Sequence, residues 1–147
     1  MHFSILIYDE PDTAALRDRL RPAHLDYLKT FGAQTVFAGP FATDDESADL
    51  GSLRLIDLPD VAAVDRHIAG EPYVAGDVQK RWTVHVWQPS RPWSWRDCPR
   101  REGNVQMMFH ALYRPGSAAL HKQHRQAHVD YLDAHPDVFM ARGPLFD

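Results

Sequence analysis

The sequence has little cysteine, no surplus of basic residues and no long apolar run, and each shortage excludes a class of protein. A single cysteine, Cys98, excludes an internal disulfide framework and a cysteine-based zinc or iron–sulfur site. With 16 Lys and Arg against 20 Asp and Glu, the formal net charge of -4 argues against a nucleic-acid partner. No apolar run approaches the roughly 18 residues of a membrane span, and the first residues lack the basic start of a signal peptide. We therefore expect a cytoplasmic protein with no membrane partner.

Motifs of several common enzyme classes are absent as well. The chain contains no glycine-rich phosphate loop and no Gly-x-Ser-x-Gly nucleophile elbow. Histidine, by contrast, is abundant, with nine residues in a chain of 147. Candidate chemistry therefore centres on the histidines.

Hydrophobic patterns in the first 90 residues predict two helical regions and four strands. Pro22 interrupts the first helical region, because proline lacks an N–H and clashes with the preceding turn. We therefore expect a short helical turn from residue 12, and then a new helix that begins near Pro22 and ends near Phe31. Gly39-Pro40 is expected to end the second strand. The predicted strands cover residues 3–8, 34–38, 53–58 and 82–87, and the second helix covers residues 61–70.

This order is strand, helix, strand, strand, helix, strand, which is the α+β, ferredoxin-like βαββαβ pattern. Its helices cover only one face of the sheet, so the other face requires a partner. A second copy of the sheet is the usual solution. The pattern therefore favours a homodimer or a higher homo-oligomer.

The end of the chain repeats its beginning at an offset of 104 residues. Residues 23–28 (AHLDYL) recur as residues 127–132 (AHVDYL), and Gly39-Pro40 recurs as Gly143-Pro144. The strand in FSILIY has a counterpart in residues 107–113 (MMFHALY). Such a repeat indicates a duplication whose second copy is a βαβ half-unit. We therefore divide the chain into a domain at 1–88, a Pro/Arg/Trp-rich linker at 89–104 and a partial second copy at 105–147.

Four short motifs in the first domain carry a resemblance to a known family. In chain order they are residues 21–25 (RPAHL), 38–40 (AGP), 51–52 (GS) and 71–76 (EPYVAG). Their order and spacing resemble those of the YciI-like (YCII-related) family. The resemblance implies the dimeric α+β barrel fold, which muconolactone isomerases share. It also implies kinship with dehydrochlorinases that act on chlorinated hydroxyhydroquinones.

The resemblance also implies an active pair made of a histidine and an acidic residue. The histidine matches His24. The acidic residue falls where the family has Asp-Pro-Phe/Tyr and this chain has Glu71-Pro72-Tyr73. This departure adds one methylene to the acidic side chain. Tyr73 of the same motif is a candidate substrate-binding residue.

The residues around His24 allow two interpretations. In a helix that begins near Pro22, His24 lies in the first turn, where the helix dipole disfavours a protonated imidazole. It borders the apolar face of that helix, so it needs a polar partner, and Glu71 is a reasonable one. His24 is accordingly either a base or a structural histidine that bonds to a neighbouring polar group.

Four further residues are candidates with ordinary alternatives. Ser52 and Tyr8 are candidate substrate-binding residues, or simply a loop residue and a core residue. His85 alternates with the apolar residues of the last strand. It is either a residue that lines the cavity or a buried histidine that makes a hydrogen bond. His128 is the equivalent of His24 in the second copy, but no second Glu-Pro-Tyr follows it.

The second copy offers a weaker alternative, a metal site. His121, His124 and His128 lie within one arc of a predicted helix. Two histidines one turn apart can bind a divalent metal, but no carboxylate ligand accompanies them. A solvated polar face explains the same pattern, and we predict no metal.

Taken together, these features predict an acid–base enzyme of the lyase or isomerase type. Its base is His24, paired with Glu71, and its ligand is a small cyclic or aromatic compound. Proton transfer of this kind requires no cofactor. The alternative is a non-catalytic ligand-binding or accessory module whose duplication serves assembly.

Overall fold

A computed structural model describes residues 1–90 and 102–146 of the chain. The central part of the predicted linker, including Trp93, Trp95 and Cys98, lies outside the described residues. The contacts divide the chain into two units. One unit contains residues 1–90 and 141–146 of the described chain, and the other contains residues 102–140.

The order of elements in the first 90 residues agrees with the predicted α+β fold. The first unit also contains a one-turn helix at Pro72–Ala75 and a two-residue strand at Leu145–Phe146 that the sequence patterns do not predict. The elements are β1 (His2–Asp9), α1 (Ala14–Lys29), β2 (Thr35–Ala42), β3 (Asp49–Asp57), α2 (Val61–Ala69), α3 (Pro72–Ala75), β4 (Gln79–Trp87), α4 (Ala118–Ala134) and β5 (Leu145–Phe146).

The sheet is antiparallel, with β1 at its centre, and its strand order is β2-β3-β1-β4-β5. This order confirms the ferredoxin-like prediction. Phe3, Ile5 and Ile7 alternate along β1 and pack with α2 in the hydrophobic core. Ile5 lies opposite Arg54 of β3, so Arg54 also projects from the face that the helices cover.

Helix α1 differs from its prediction, because it runs through Pro22 without a break. A proline inside a helix removes one backbone hydrogen bond, whereas two helix ends would leave several N–H and C=O groups without partners. His24 consequently lies in the third turn of a continuous helix and not in the first turn of a new one. The helix-dipole argument for a neutral His24 therefore does not apply. His24 is the buried residue of α1.

Strand β2 also extends further than expected, because it continues through Gly39 and Pro40 to Ala42. It is an edge strand, paired on one side with β3. Proline has no N–H to donate, and an edge strand needs ladder hydrogen bonds on one side only. Pro40 is therefore accommodated, and it lies opposite Ser52.

In the second unit, the predicted helix is present but the preceding strand is not. Helix α4 begins at Ala118, which is 104 residues after Ala14, where α1 begins (118 − 14 = 104). The described residues 102–117 contain no strand, and the side chains of Met107, Phe109 and Tyr113 are exposed. A strand is stable only when its N–H and C=O groups pair with a neighbouring strand.

Candidate active site

A buried polar network lies beneath α1, and Glu71 is at its centre. The Glu71 side chain is fully buried. Its Oε1 atom accepts a hydrogen bond from His24 Nδ1 at 2.7 Å and another from the backbone N–H of Tyr73 at 3.2 Å. Its Oε2 atom accepts from the guanidinium of Arg54. The contact that the sequence suggested between His24 and Glu71 is therefore present.

The local sequence explains why Glu71 points into this network. A residue that precedes proline adopts an extended backbone, and Glu71 has φ −71° and ψ 121°. Proline is favoured in the first turn of a helix, so Pro72 begins α3 and Glu71 becomes its N-cap. The carboxylate accepts the Tyr73 N–H in that role, which fixes its position on the side of α1.

Opposing effects act on the pKa of Glu71. Burial raises the pKa, but the hydrogen bond from His24 and the positive charge of Arg54 lower it, and the net result is below the ordinary value. Burial lowers the pKa of Arg54, while the carboxylate of Glu71 opposes that effect. Glu71 and Arg54 therefore form a buried ion pair in which each charge compensates the other.

His67 of α2 completes the buried network. Its Nε2 atom accepts a hydrogen bond from Arg54 Nη1 at 3.1 Å, so its ring proton is on Nδ1. Phe31 packs edge-on against the ring, with 4.4 Å between centroids. Burial and, to a smaller extent, the positive charge of Arg54 lower the pKa of His67 to about 4, against a small opposing effect of Glu71. His67 is consequently a neutral acceptor at neutral pH.

His24 differs from His67 because it reaches a cavity. Its ring stacks on Tyr73, with 4.1 Å between centroids and 14° between planes. Since Nδ1 donates to Glu71, Nε2 is the ring nitrogen left for a ligand. The carboxylate thereby selects the tautomer whose Nε2 carries a lone pair.

The cavity lies between α1 and the strands β2 and β3, and its volume is about 160 Å³. Arginine side chains, the two aromatic rings of the stack and small residues of the strands form its walls. The lining residues are Arg17, Arg21, His24, Leu25, Leu28, Ala38, Gly39, Pro40, Asp49, Ser52, Leu53, Arg54 and Tyr73.

A second polar network borders the cavity at the end of β1. Arg17 of α1 donates to Asp9 at 2.7 Å and to Asp49 at 2.8 Å. Its guanidinium carbon lies 4.8 Å from the centroid of the Tyr73 ring. Gln79 Nε2 donates to Asp9 Oδ1 at 2.8 Å and to Ser52 Oγ at 3.2 Å. These bonds connect the start of α1 to three strands of the sheet.

The structure brings together four of the predicted site residues. His24, Ser52 and Tyr73 line the cavity, and Glu71 lies directly behind His24. His24 lies in α1, Ser52 in β3, and Glu71 and Tyr73 at the start of α3, so the cluster depends on the tertiary fold.

Three other predicted site residues do not line this cavity. Tyr8 and His85 project from the sheet face opposite the helices, because they alternate with the helix-facing residues Ile7 and Val84. Tyr8 packs against Phe41 there. His128 is an exposed residue of α4 in the other unit.

Sequence reasoning missed six residues of these networks, namely Asp9, Arg17, Asp49, Arg54, His67 and Gln79. Arg54 alternates with Leu53 and Leu55, which usually indicates a residue that faces solvent. Its side chain is instead buried, with 1% of its surface exposed. The available signal was that Arg54 shares its side of the strand with the apolar residue Ile56.

The described residues contain no cluster of three or more His, Cys, Asp or Glu side chains suited to a metal ion. In α4, His121 instead makes a hydrogen bond with the hydroxyl of Tyr113 at 2.7 Å. Within the described parts of the chain, no helix combines the length and the apolar character of a membrane span.

Comparison with solved structures shows a shared fold. The chain is similar to 5-chloro-2-hydroxyhydroquinone dehydrochlorinase (TftG) from Burkholderia phenoliruptrix AC1100, solved in complex with 2,5-dihydroxybenzoquinone. The TM-score is 0.56 and the sequence identity is 23%, over 60% of this chain and 94% of the dehydrochlorinase chain. No curated protein sequence matches the chain.

The family resemblance rests on a wider match than the four motifs. The sequence profile of the YCII-related domain matches residues 1–88, which include β1 to β4 and every residue that lines the cavity. The chain therefore belongs to the YCII-related domain family.

Proposed function

We propose that this protein is a cofactor-independent acid–base enzyme of the lyase or isomerase type that acts on a small cyclic or aromatic compound. One observation carries the proposal. The Glu71 carboxylate bonds to Nδ1 of His24 at 2.7 Å, which leaves the lone pair of Nε2 at a cavity. An imidazole oriented in this way by a carboxylate is suited to accept a proton near neutral pH.

The size of the cavity supports a ligand with a single ring. A cavity of roughly 150 Å³ is large enough to bind benzene, and the cavity beside His24 measures about 160 Å³. Leu25, Leu28 and Pro40 provide apolar walls, and Arg21 adds positive charge. This combination suits a small ring that carries oxygen substituents.

A dehydrochlorination is the reaction that the structural neighbour suggests. In such a step, Nε2 of His24 takes a proton from the substrate, and the electron pair released forms a new double bond. The carbon–chlorine bond breaks, and chloride leaves with the bonding pair. Glu71 stabilises the imidazolium that forms, which then returns its proton to water.

The proposal is tested by replacing His24 with glutamine and measuring chloride release from 5-chloro-2-hydroxyhydroquinone. We expect His24→Gln to lower kcat by about 100-fold or more, since a positioned base contributes at least that factor. Binding of 2,5-dihydroxybenzoquinone, measured by calorimetry, should change much less, because the cavity walls remain.

His128→Gln is the matched control, because His128 is an exposed residue at the corresponding repeat position. It should retain wild-type turnover. If the wild-type protein releases no chloride, the dehydrochlorinase proposal is wrong. If quinone binding is present without turnover in either protein, the result supports a non-catalytic ligand-binding module instead.

We also propose that the protein functions as a homodimer or a higher homo-oligomer. Helices pack on one face of the sheet, and the other face carries apolar side chains that include Leu6, Leu53 and Leu55. A second sheet would cover this face. We expect sedimentation equilibrium to give at least twice the chain mass of 16.8 kDa, whereas a monomer at micromolar concentration would contradict the proposal.

Residues 105–147 are proposed to be a partial second copy of the domain. The support is that α1 (16 residues) and α4 (17 residues) are similar in length and begin 104 residues apart, together with the repeated AH-x-DYL motif. The residues that carry the proposed chemistry, His24, Glu71 and Tyr73, all belong to the first domain.

A further inference from the structure

We infer that Ser52 acts as a hydrogen-bond donor toward the cavity and that it receives a ligand oxygen that carries or develops negative charge. Asp9 and Gln79 act as positioning residues that direct the hydroxyl proton of Ser52 toward the cavity. The inference rests on the proposed function and adds the chemical class of the group that lies beside the base. Enolate, phenolate and carbonyl oxygens belong to this class.

Gln79 is the connecting residue, and its side chain is fully buried. It lies opposite Asp9 in the pairing of β1 with β4. The two N–H bonds of its side-chain amide are both used, since Nε2 donates to Asp9 Oδ1 at 2.8 Å and to Ser52 Oγ at 3.2 Å. A side-chain NH₂ group has two hydrogens, so its donor capacity is filled.

The carboxylate of Asp9 determines which way the amide faces. An ionised carboxylate only accepts hydrogen bonds, so the opposite orientation would place Gln79 Oε1 against Asp9. The ion pair with Arg17 at 2.7 Å holds Asp9 in place. In the observed orientation, Oε1 of Gln79 is buried without a hydrogen-bond partner among the described residues. The contact with Asp9 therefore fixes the orientation of the Gln79 amide, because Oε1 makes no hydrogen bond that could fix it.

The direction of the next hydrogen bond follows from this orientation. Ser52 Oγ accepts the N–H of Gln79, so the hydroxyl proton of Ser52 is not used in that bond. Within the described part of the chain, the Ser52 hydroxyl makes no other hydrogen bond. Ser52 lines the cavity that His24 also lines. The cavity therefore presents a donor at Ser52 and an acceptor at Nε2 of His24.

This pairing matches a ring whose proton is removed while charge moves to an oxygen. When Nε2 takes the proton, the electron pair released is delocalised onto a ring oxygen. A donor placed at that oxygen strengthens its bond as the charge develops, and fixed donors of this kind stabilise the transition state. Ser52 is positioned to provide such a donor.

The first experiment compares two substitutions of Ser52 in calorimetric binding of 2,5-dihydroxybenzoquinone. Ser52→Ala removes the hydroxyl and should weaken binding by about 10-fold, which is typical of losing one hydrogen bond to a charged acceptor. Ser52→Thr keeps the hydroxyl and should stay within about threefold of the wild type. Circular dichroism verifies that both variants are folded.

The second experiment tests the positioning role of Asp9 with a double-mutant cycle. Asp9→Asn allows the Gln79 amide to turn, because an asparagine side chain can either donate or accept. We expect it to weaken quinone binding by about fivefold in the wild-type background and to have no further effect in the Ser52→Ala background. A merely structural role for Asp9 would produce the same loss in both backgrounds.

The possible outcomes separate this inference from the proposed function. Wild-type binding that Ser52→Ala does not weaken contradicts the donor role of Ser52 and leaves the base role of His24 intact. Equal losses in Ser52→Ala and Ser52→Thr indicate a packing effect and also contradict it. Absence of quinone binding by the wild-type protein contradicts both proposals. A cycle in which the losses for Asp9 and Ser52 simply add contradicts the positioning role.

Discussion

Replacing Arg54 with methionine is expected to lower the free energy of unfolding by about 3–5 kcal/mol at pH 7, the cost of leaving a buried charge without its partner. Arg54 and Glu71 are both buried and paired. Methionine fills much of the same space but cannot donate to Glu71 or to His67. The carboxylate would retain only His24 and the Tyr73 N–H as donors.

The penalty of Arg54→Met should depend on pH in a defined direction. In the wild-type protein the pKa of Glu71 is lowered, so its stabilising contribution is present above its ordinary pKa and is lost as the pH falls below it. Without Arg54, one of the effects that lower the pKa of Glu71 is lost, so this pKa is higher in the variant than in the wild type. The carboxyl group of the variant is therefore protonated at a higher pH. The difference in stability between wild type and variant should therefore shrink from pH 7 to pH 5.

Chemical denaturation at several pH values measures these free energies. Arg66→Met is the matched control, because Arg66 is an exposed residue of α2, and its change should stay within about 0.5 kcal/mol. The double variant Arg54→Met, Glu71→Gln should recover a substantial part of the loss, since it removes both buried charges. If the single Arg54 variant is as stable as the Arg66 control, the ion pair does not have the role assigned to it.

The second large effect is the dependence of stability on pH through His67. The pKa of His67 is about 4 in the folded protein, against an ordinary value of 6.5, because of burial and the nearby charge of Arg54. Below pH 6.5 the unfolded chain binds a proton at this residue and the folded chain does not. The stability due to neutral His67 is therefore fully present above pH 6.5 and is lost as the pH falls toward 4. A shift of this size corresponds to about 3 kcal/mol.

His67→Gln isolates this contribution. Glutamine keeps an oxygen that can accept from Arg54 but does not titrate. At pH 7.5 the variant should be less stable by about 1 kcal/mol, owing to lost ring packing against Phe31. Between pH 7.5 and pH 4, wild-type stability relative to the variant should fall by about 3 kcal/mol.

The carboxylates that both proteins share contribute equally to the pH dependence of the two unfolding free energies. Their contribution therefore cancels when one profile is subtracted from the other. Parallel profiles across this range would show that His67 does not titrate differently in the folded and unfolded states. A profile in which the wild type gains stability relative to the variant as the pH falls would mean that His67 is protonated in the fold. Either result would contradict its role as a neutral acceptor for Arg54.

Local pattern was sufficient for most of the fold. Alternation along β1 and β4 and the Asp60 cap of α2 depend on residues close in sequence, so they were readable from the chain. The two errors in the first domain both involve proline. Pro22 and Pro40 were expected to interrupt elements, but continuous packing of α1 and the edge position of β2 accommodate them.

The sequence by itself determined the βαββαβ order and, through the family resemblance, suggested the pairing of His24 with Glu71, because these depend on local pattern and on short motifs. Tertiary structure alone decided what lies behind that pair. The sequence around Arg54 is typical of a strand residue that faces solvent. Only the packing of β3 beneath α1 places Arg54 beside Glu71. Gln79 and Asp9 have no distinctive pattern, yet the pairing of β1 with β4 places them beside Ser52. A charge or an amide is tolerated in a buried position only when partners distant in sequence satisfy it, and those partners are known only when the chain has folded.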